Sequence, residues 1–156
     1  MAQFLLITTL LTIAGLIATS IAGFMATPVR VATHIMFALV TVVLGLFSQS
    51  MTLFFFIGTG RQLKDKVKDT VNDEEVRRAT RALTMKVSPA ATYAMFILMI
   101  TFITGGGVSS GKTPRWLHDL LTLSTIAMYA RAYWIEIQAM TTSADLMEKY
   151  LADRGP

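Results

Sequence analysis

The sequence predicts an all-α integral membrane protein, a four-helix bundle with a charged cytoplasmic helical hairpin between helices 2 and 3. Three observations carry that expectation. Residues 1–29, 31–60 and 87–111 contain no Asp, Glu, Lys or Arg, and an apolar run longer than about 18 residues has the length of a membrane-spanning helix. Of 156 residues, 53% are hydrophobic and only 15% charged, against about 25% charged in an ordinary soluble domain. The one strongly polar stretch, 61–86, gathers eight basic residues and five acidic ones. A soluble globular fold is excluded. The lack of cysteine also excludes a disulfide scaffold and a thiolate metal site.

The first helix is expected over about 3–25. No Lys or Arg precedes its apolar run, so the basic start of a signal peptide is missing and the segment reads as a retained span. Ala14, Ala18 and Ala22, with Gly15 beside them, fall on one face where another helix can approach closely.

The second helix, about 29–70, follows Thr27 as N-cap and Pro28 at the first helical position. Its uncharged run to Gly60 spans roughly 45 Å at 1.5 Å per residue, more than the ~30 Å hydrocarbon core. It must tilt or project into water, and Leu63, Val67 and Val71 keep helical spacing beyond the charge-free run.

The third helix, about 73–104, opens with Asn72 as N-cap and with Asp73, Glu74 and Glu75 in its first turn. It closes at the Gly105–Gly107 cluster. The fourth, about 114–144, follows Thr113-Pro114 and is less pure, carrying Asp119, Arg131 and Glu136. The whole chain, 1–156, reads as one membrane domain.

Charge asymmetry sets the expected orientation. Eight basic residues lie in the 61–86 stretch, against Arg30, Lys112 and Arg115 alone in the opposite connections. The positive-inside rule then puts the 61–87 hairpin and both termini in the cytoplasm, with loops 26–30 and 105–115 outside. Trp116 suits the outer interface, while Tyr129, Tyr133 and Trp134 suit an inner aromatic belt to which Arg131 snorkels.

The two histidines stand in matching contexts. His34 follows Thr27-Pro28 and Arg30; His118 follows Thr113-Pro114 and Arg115. Both helices run inward from the same side, so the imidazoles share one depth to within ~3 Å. Steps of three and four from His34 reach Ala38, Thr41, Gly45, Ser48 and Thr52; from His118 they reach Thr122, Thr125, Tyr129, Ala132 and Glu136. Such small and polar stripes turn toward a bundle interior.

Two inward imidazoles at one depth suit axial ligation of haem b iron, each giving one ring nitrogen to the metal. Arg30, Arg115 and Lys112 lie where the two propionates would need cations. The plainer reading of a lone interfacial histidine is a polar tip reaching water, and of each arginine a topology-setting charge. Repetition of the whole context is what favours a ligand pair. In architecture, four spans with two such histidines are similar to the di-histidine cytochrome b anchors of respiratory enzymes. That likeness covers the spans and histidines alone.

The expected function is therefore a haem b-binding electron-transfer subunit, bis-histidine ligated near the outer face, exchanging electrons with quinone or a partner subunit. One haem cannot by itself cross ~30 Å of hydrocarbon, so a redox partner is implied. The competing reading is a non-catalytic accessory subunit of a respiratory or photosynthetic complex, with no cofactor or with a chlorophyll-type pigment. Either is a redox or accessory subunit rather than an enzyme on its own.

Tyr129 and Glu136 are candidate quinone contacts, with interhelical hydrogen bonding as their plainer role. Expected partners are the lipid bilayer and other subunits or further copies of the chain, with no nucleic acid. Gly106–Thr113 reads GGVSSGKT, a formal phosphate-loop match. It follows a membrane helix rather than a strand, so no nucleotide is expected, and a propionate or lipid phosphate is the better guest.

Overall fold

Within the described residues, each charge-free run falls largely in one continuous helix. The computed structural model describes residues 2–25, 30–68 and 70–151, and among these it contains four α-helices and no strand. They are α1 (Ala2–Phe24), α2 (Val31–Val67), α3 (Asp73–Ser109) and α4 (Arg115–Leu151). Three of them, α1, α2 and α3, are long and apolar enough to cross a membrane. Their outer faces expose Phe4, Leu11, Phe37, Val43, Phe96 and Ile103, among others. A contiguous apolar surface of this kind is solvated by lipid, not by water.

Consecutive helices pack against one another, and α4 returns to α1, so the four form a closed ring in which α2 and α4 also touch across the middle. Three apolar layers stack along the axis. Leu16, Ala94, Leu98 and Ala132 belong to the first; Leu5, Phe56, Val87 and Met140 to the second; Leu63, Val67, Val76 and Tyr150 to the third. The third layer draws on α2, α3 and α4 only. At 23 residues, α1 is shorter than the 37 of each other helix, so the helix bundle continues past it as three helices.

Several details differ from the sequence expectation. Ala14 and Ala18 point outward, and the packed face of α1 is Leu5, Thr8, Thr9, Thr12 and Leu16. The physical reason is that threonine hydroxyls gain partners inside the bundle, while an alanine methyl is as well placed in lipid. Gly15 does meet α2: a Cβ there would stand 3.0 Å from Thr41 Oγ1.

Asn72 occupies the N-cap of α3 but makes no side-chain capping bond. The first-turn acids instead pair along the helix, Asp73 accepting from Arg77 at 2.7 Å and Glu74 from Arg78 at 3.0 Å. Val71 is fully exposed beyond the end of α2, whereas Leu63 and Val67 are buried. Helix α3 accommodates Pro89 in its interior and runs through the glycine cluster to Ser109. Helix α4 continues past 144 to Leu151, and its last turn places Tyr150 in the third layer. The expected cap Thr27 and Pro28 lie outside the described residues.

Candidate cofactor cavity

His34 and His118 each sit in the opening turns of a helix, α2 and α4, and both are half-buried. They line one cavity of about 810 Å³ at the end of the bundle where α1 and α3 finish and α2 and α4 begin. Its walls also include Thr41, Leu98, Thr101 and Arg115. Cofactor pockets have volumes of ~300–1,000 Å³ and are mostly apolar with a few placed polar groups. This cavity fits that description.

The two histidines are seated alike. A Cβ at Gly23 of α1 would stand 2.9 Å from His34 Cε1 and 3.4–3.5 Å from both ring nitrogens. A Cβ at Gly105 of α3 would stand 3.0 Å from His118 Cε1 and 3.5 Å from both nitrogens. Each imidazole thus lies against a glycine on the preceding helix, close enough that no other residue fits there without movement. Their partners differ. His118 Nδ1 lies 3.4 Å from Thr104 Oγ1, while His34 Nδ1 is buried without a hydrogen-bond partner.

The remaining expected site residues separate into three groups. Arg115 lines the cavity, with its guanidinium donating to Gly23 O at 3.3 Å, 3.8 Å from Asp119 and 5.9 Å from the Phe24 ring centroid. It bridges α4 to the end of α1 at the cavity mouth. Arg30 and Lys112 are exposed and stand outside the lining. Tyr129 and Glu136 lie deeper, fully buried in the bundle and also outside the lining.

The inward stripes divide in the same way. Ala38 and Thr41 of α2 and Thr122 of α4 face the cavity. Below it, Gly45, Ser48, Thr52, Thr125 and Ala132 are packed, with Thr125 bonded to Thr101 at 2.7 Å. Gly23, Gly105, Thr104 and Asp119 were not singled out for the site by sequence. The available signal was a glycine near the end of each helix preceding a histidine helix.

The glycine-rich segment closes α3 rather than cradling an anion. The amides of Ser110, Gly111, Lys112 and Thr113 donate to Gly106, Val108, Gly107 and Gly107 carbonyls respectively. Gly111 takes φ 71° to make that turn, a left-handed conformation that glycine adopts freely. Among the described residues no group of three or more His, Cys, Asp or Glu side chains converges on a metal position. No protein-family model, curated protein or solved structure matches this chain.

Proposed function

We propose that this protein is a haem b-binding membrane electron-transfer subunit, in which His34 and His118 would hold the haem iron. The observation that carries the reading is the shared cavity, into which two imidazoles are seated by equivalent glycines from neighbouring helices. Bound haem supplies a one-electron iron couple. The chain supplies two neutral nitrogens, an apolar wall from Leu98 and Ile126, and Arg115 at the mouth for a propionate.

In this reading α4 is the fourth span, and the cavity lies toward the outer face. Both termini and the charged 61–87 hairpin lie in the cytoplasm, as the basic-residue asymmetry favours. Trp116, exposed beside the cavity end, suits the outer headgroup level. The electron partner is quinone or another subunit. Because Tyr129 and Glu136 are enclosed by packed side chains, a quinone would approach the cavity end instead of these two residues.

The test is a visible spectrum of the purified full-length protein before and after dithionite. A sharp reduced α-band, lost in His34→Ala and in His118→Ala, is the expected result. A colourless, folded protein overturns the haem reading. A red-shifted pigment band lost in only one of the two variants would assign a chlorophyll-type ligand instead.

A further inference from the structure

Away from the cavity, buried polar groups concentrate around one carboxyl. Glu136 on α4 is 1% exposed. Its Oε2 accepts from Thr9 of α1 at 3.2 Å, and Thr9 Oγ1 lies 2.6 Å from Ser48 Oγ of α2. Thr8 extends the chain, reaching Ser48 Oγ at 3.2 Å and the Leu5 carbonyl at 2.9 Å. The other carboxyl oxygen, Oε1, has no partner, nor do the amide atoms of Gln49, whose side chain faces the carboxyl from α2. Both residues are fully enclosed.

No Lys, Arg or His among the described residues pairs with Glu136. The groups facing it are hydroxyls from α1 and α2, the Gln49 amide, and the Tyr129 hydroxyl from its own helix. An uncompensated carboxylate in such a place is expensive, and intramembrane acids that persist have a charge-neutralising partner. Here the surroundings offer only oxygen and amide groups. A proton on the carboxyl removes the uncompensated charge and makes the group a donor as well as an acceptor, and the Gln49 side chain beside it carries both an unused donor and an unused acceptor.

We propose that Glu136, with Gln49, Thr9 and Ser48 around it, is a proton-binding site inside the membrane span, exchanging its proton with the Thr9, Ser48 and Thr8 hydroxyls of α1 and α2. Uptake forms one O–H bond on the carboxyl; release breaks it, and no electron moves. The Thr9, Ser48 and Thr8 hydroxyls form a chain from the carboxyl that ends at the Leu5 carbonyl, level with the second apolar layer. The site stands apart from the histidine cavity. It rests on the membrane reading of the chain, not on the haem.

The test is infrared spectroscopy of the full-length protein in lipid nanodiscs, with or without pigment. The expected result is a protonated-carboxyl C=O band that Glu136→Gln abolishes and that shifts within minutes of transfer to D₂O. Glu136→Asp, which keeps an acid, should move the band without deleting it and serves if the amide variant does not fold. Three results overturn the proposal. They are no band assignable to residue 136, a band that does not respond to D₂O, and a band that disappears when sodium chloride is added at constant pH. The last result assigns the site to a metal cation. A colourless sample fails the haem reading alone and leaves this measurement intact.

Discussion

Gly23 lies so close to His34 that a Cβ at residue 23 would stand 2.9 Å from the imidazole Cε1, and Gly105 holds the same relationship to His118 at 3.0 Å. A methyl at either position must push the ring by a few tenths of an ångström, more at residue 23 than at 105. Gly23→Ala and Gly105→Ala should therefore each reduce haem content several-fold, measured as the haem-to-protein ratio of purified variants. Gly58→Ala, away from the cavity and with nothing within 4 Å of the added carbon, is the matched control and should keep full content. Equal haem content in all three variants would refute the seating role of the glycines.

Gly45 marks the packed floor below the cavity. A Cβ there would meet Leu98 Cδ2 and the Tyr129 hydroxyl oxygen at 2.8 Å and Thr12 Cγ2 at 2.9 Å. All four helices meet at this point, so no single side chain can yield. Gly45→Ala should destabilise by about 1–3 kcal/mol, the usual cost of overpacking. Gly58→Ala meets nothing within 4 Å, and should gain up to ~1 kcal/mol from helix propensity. Reversible unfolding in mixed micelles would read both; a stabilised Gly45→Ala would contradict the packing.

How much of this was legible in the sequence follows from which interactions are local. The three apolar helices and the inward stripes from His34 and His118 depend on period and charge, which neighbouring residues carry. The face of α1 does not. Thr9 is buried because Ser48 and Glu136, 39 and 127 residues away, meet it. Ala14 and Ala18 were equally plausible by spacing. The fate of Asn72 is similar: its position as N-cap was readable, but no side-chain bond forms there while the neighbouring acids pair with arginines. At the cavity, the histidines were visible as rare polar residues in apolar helices. Their glycine seats were not, because a glycine acquires meaning only when another helix presses on it.

The α3–α4 contact in the charged region should respond to pH at both extremes. The Tyr150 hydroxyl turned toward Glu75, then the Lys149 ammonium at 3.1 Å, hold the Glu75 carboxyl below the usual carboxylate range. Tyr150 and Glu75 in turn hold Lys149 above its usual value. A lowered carboxylate contributes stability above its unfolded value and loses it as pH falls through the folded one. A raised lysine contributes below its unfolded value and loses it as pH rises through the folded one. The contact is therefore intact across neutral pH and loosens in acid and in strong alkali. NMR of the Tyr150 ring, 4.8 Å from Lys149 Nζ, should show both steps. Lys149→Ala should remove the alkaline one, and salt should weaken the ion pair because it is exposed.

Thr104 and the Thr101 backbone both face the His118 ring, and Thr104 favours hydrogen on one of its nitrogens. A threonine hydroxyl has one hydrogen, and Thr104 Oγ1 donates it to the Thr101 carbonyl at 2.9 Å. With its hydrogen so used, the oxygen accepts from His118 Nδ1, 3.4 Å away, an arrangement that favours hydrogen on Nδ1 and leaves Nε2 the lone pair a metal requires. His34 has no such partner at its buried Nδ1. In the cofactor-free protein, ¹⁵N NMR should find His118 in the Nδ1–H form and His34 divided between both forms. Thr104→Val should shift the His118 ring signals toward a mixture and leave those of His34 unchanged. With haem bound, the same variant should weaken the His118 ligand, so that an added ligand such as carbon monoxide binds the reduced protein more readily. If His118 stays wholly in the Nδ1–H form in Thr104→Val, the hydroxyl is not what sets the tautomer.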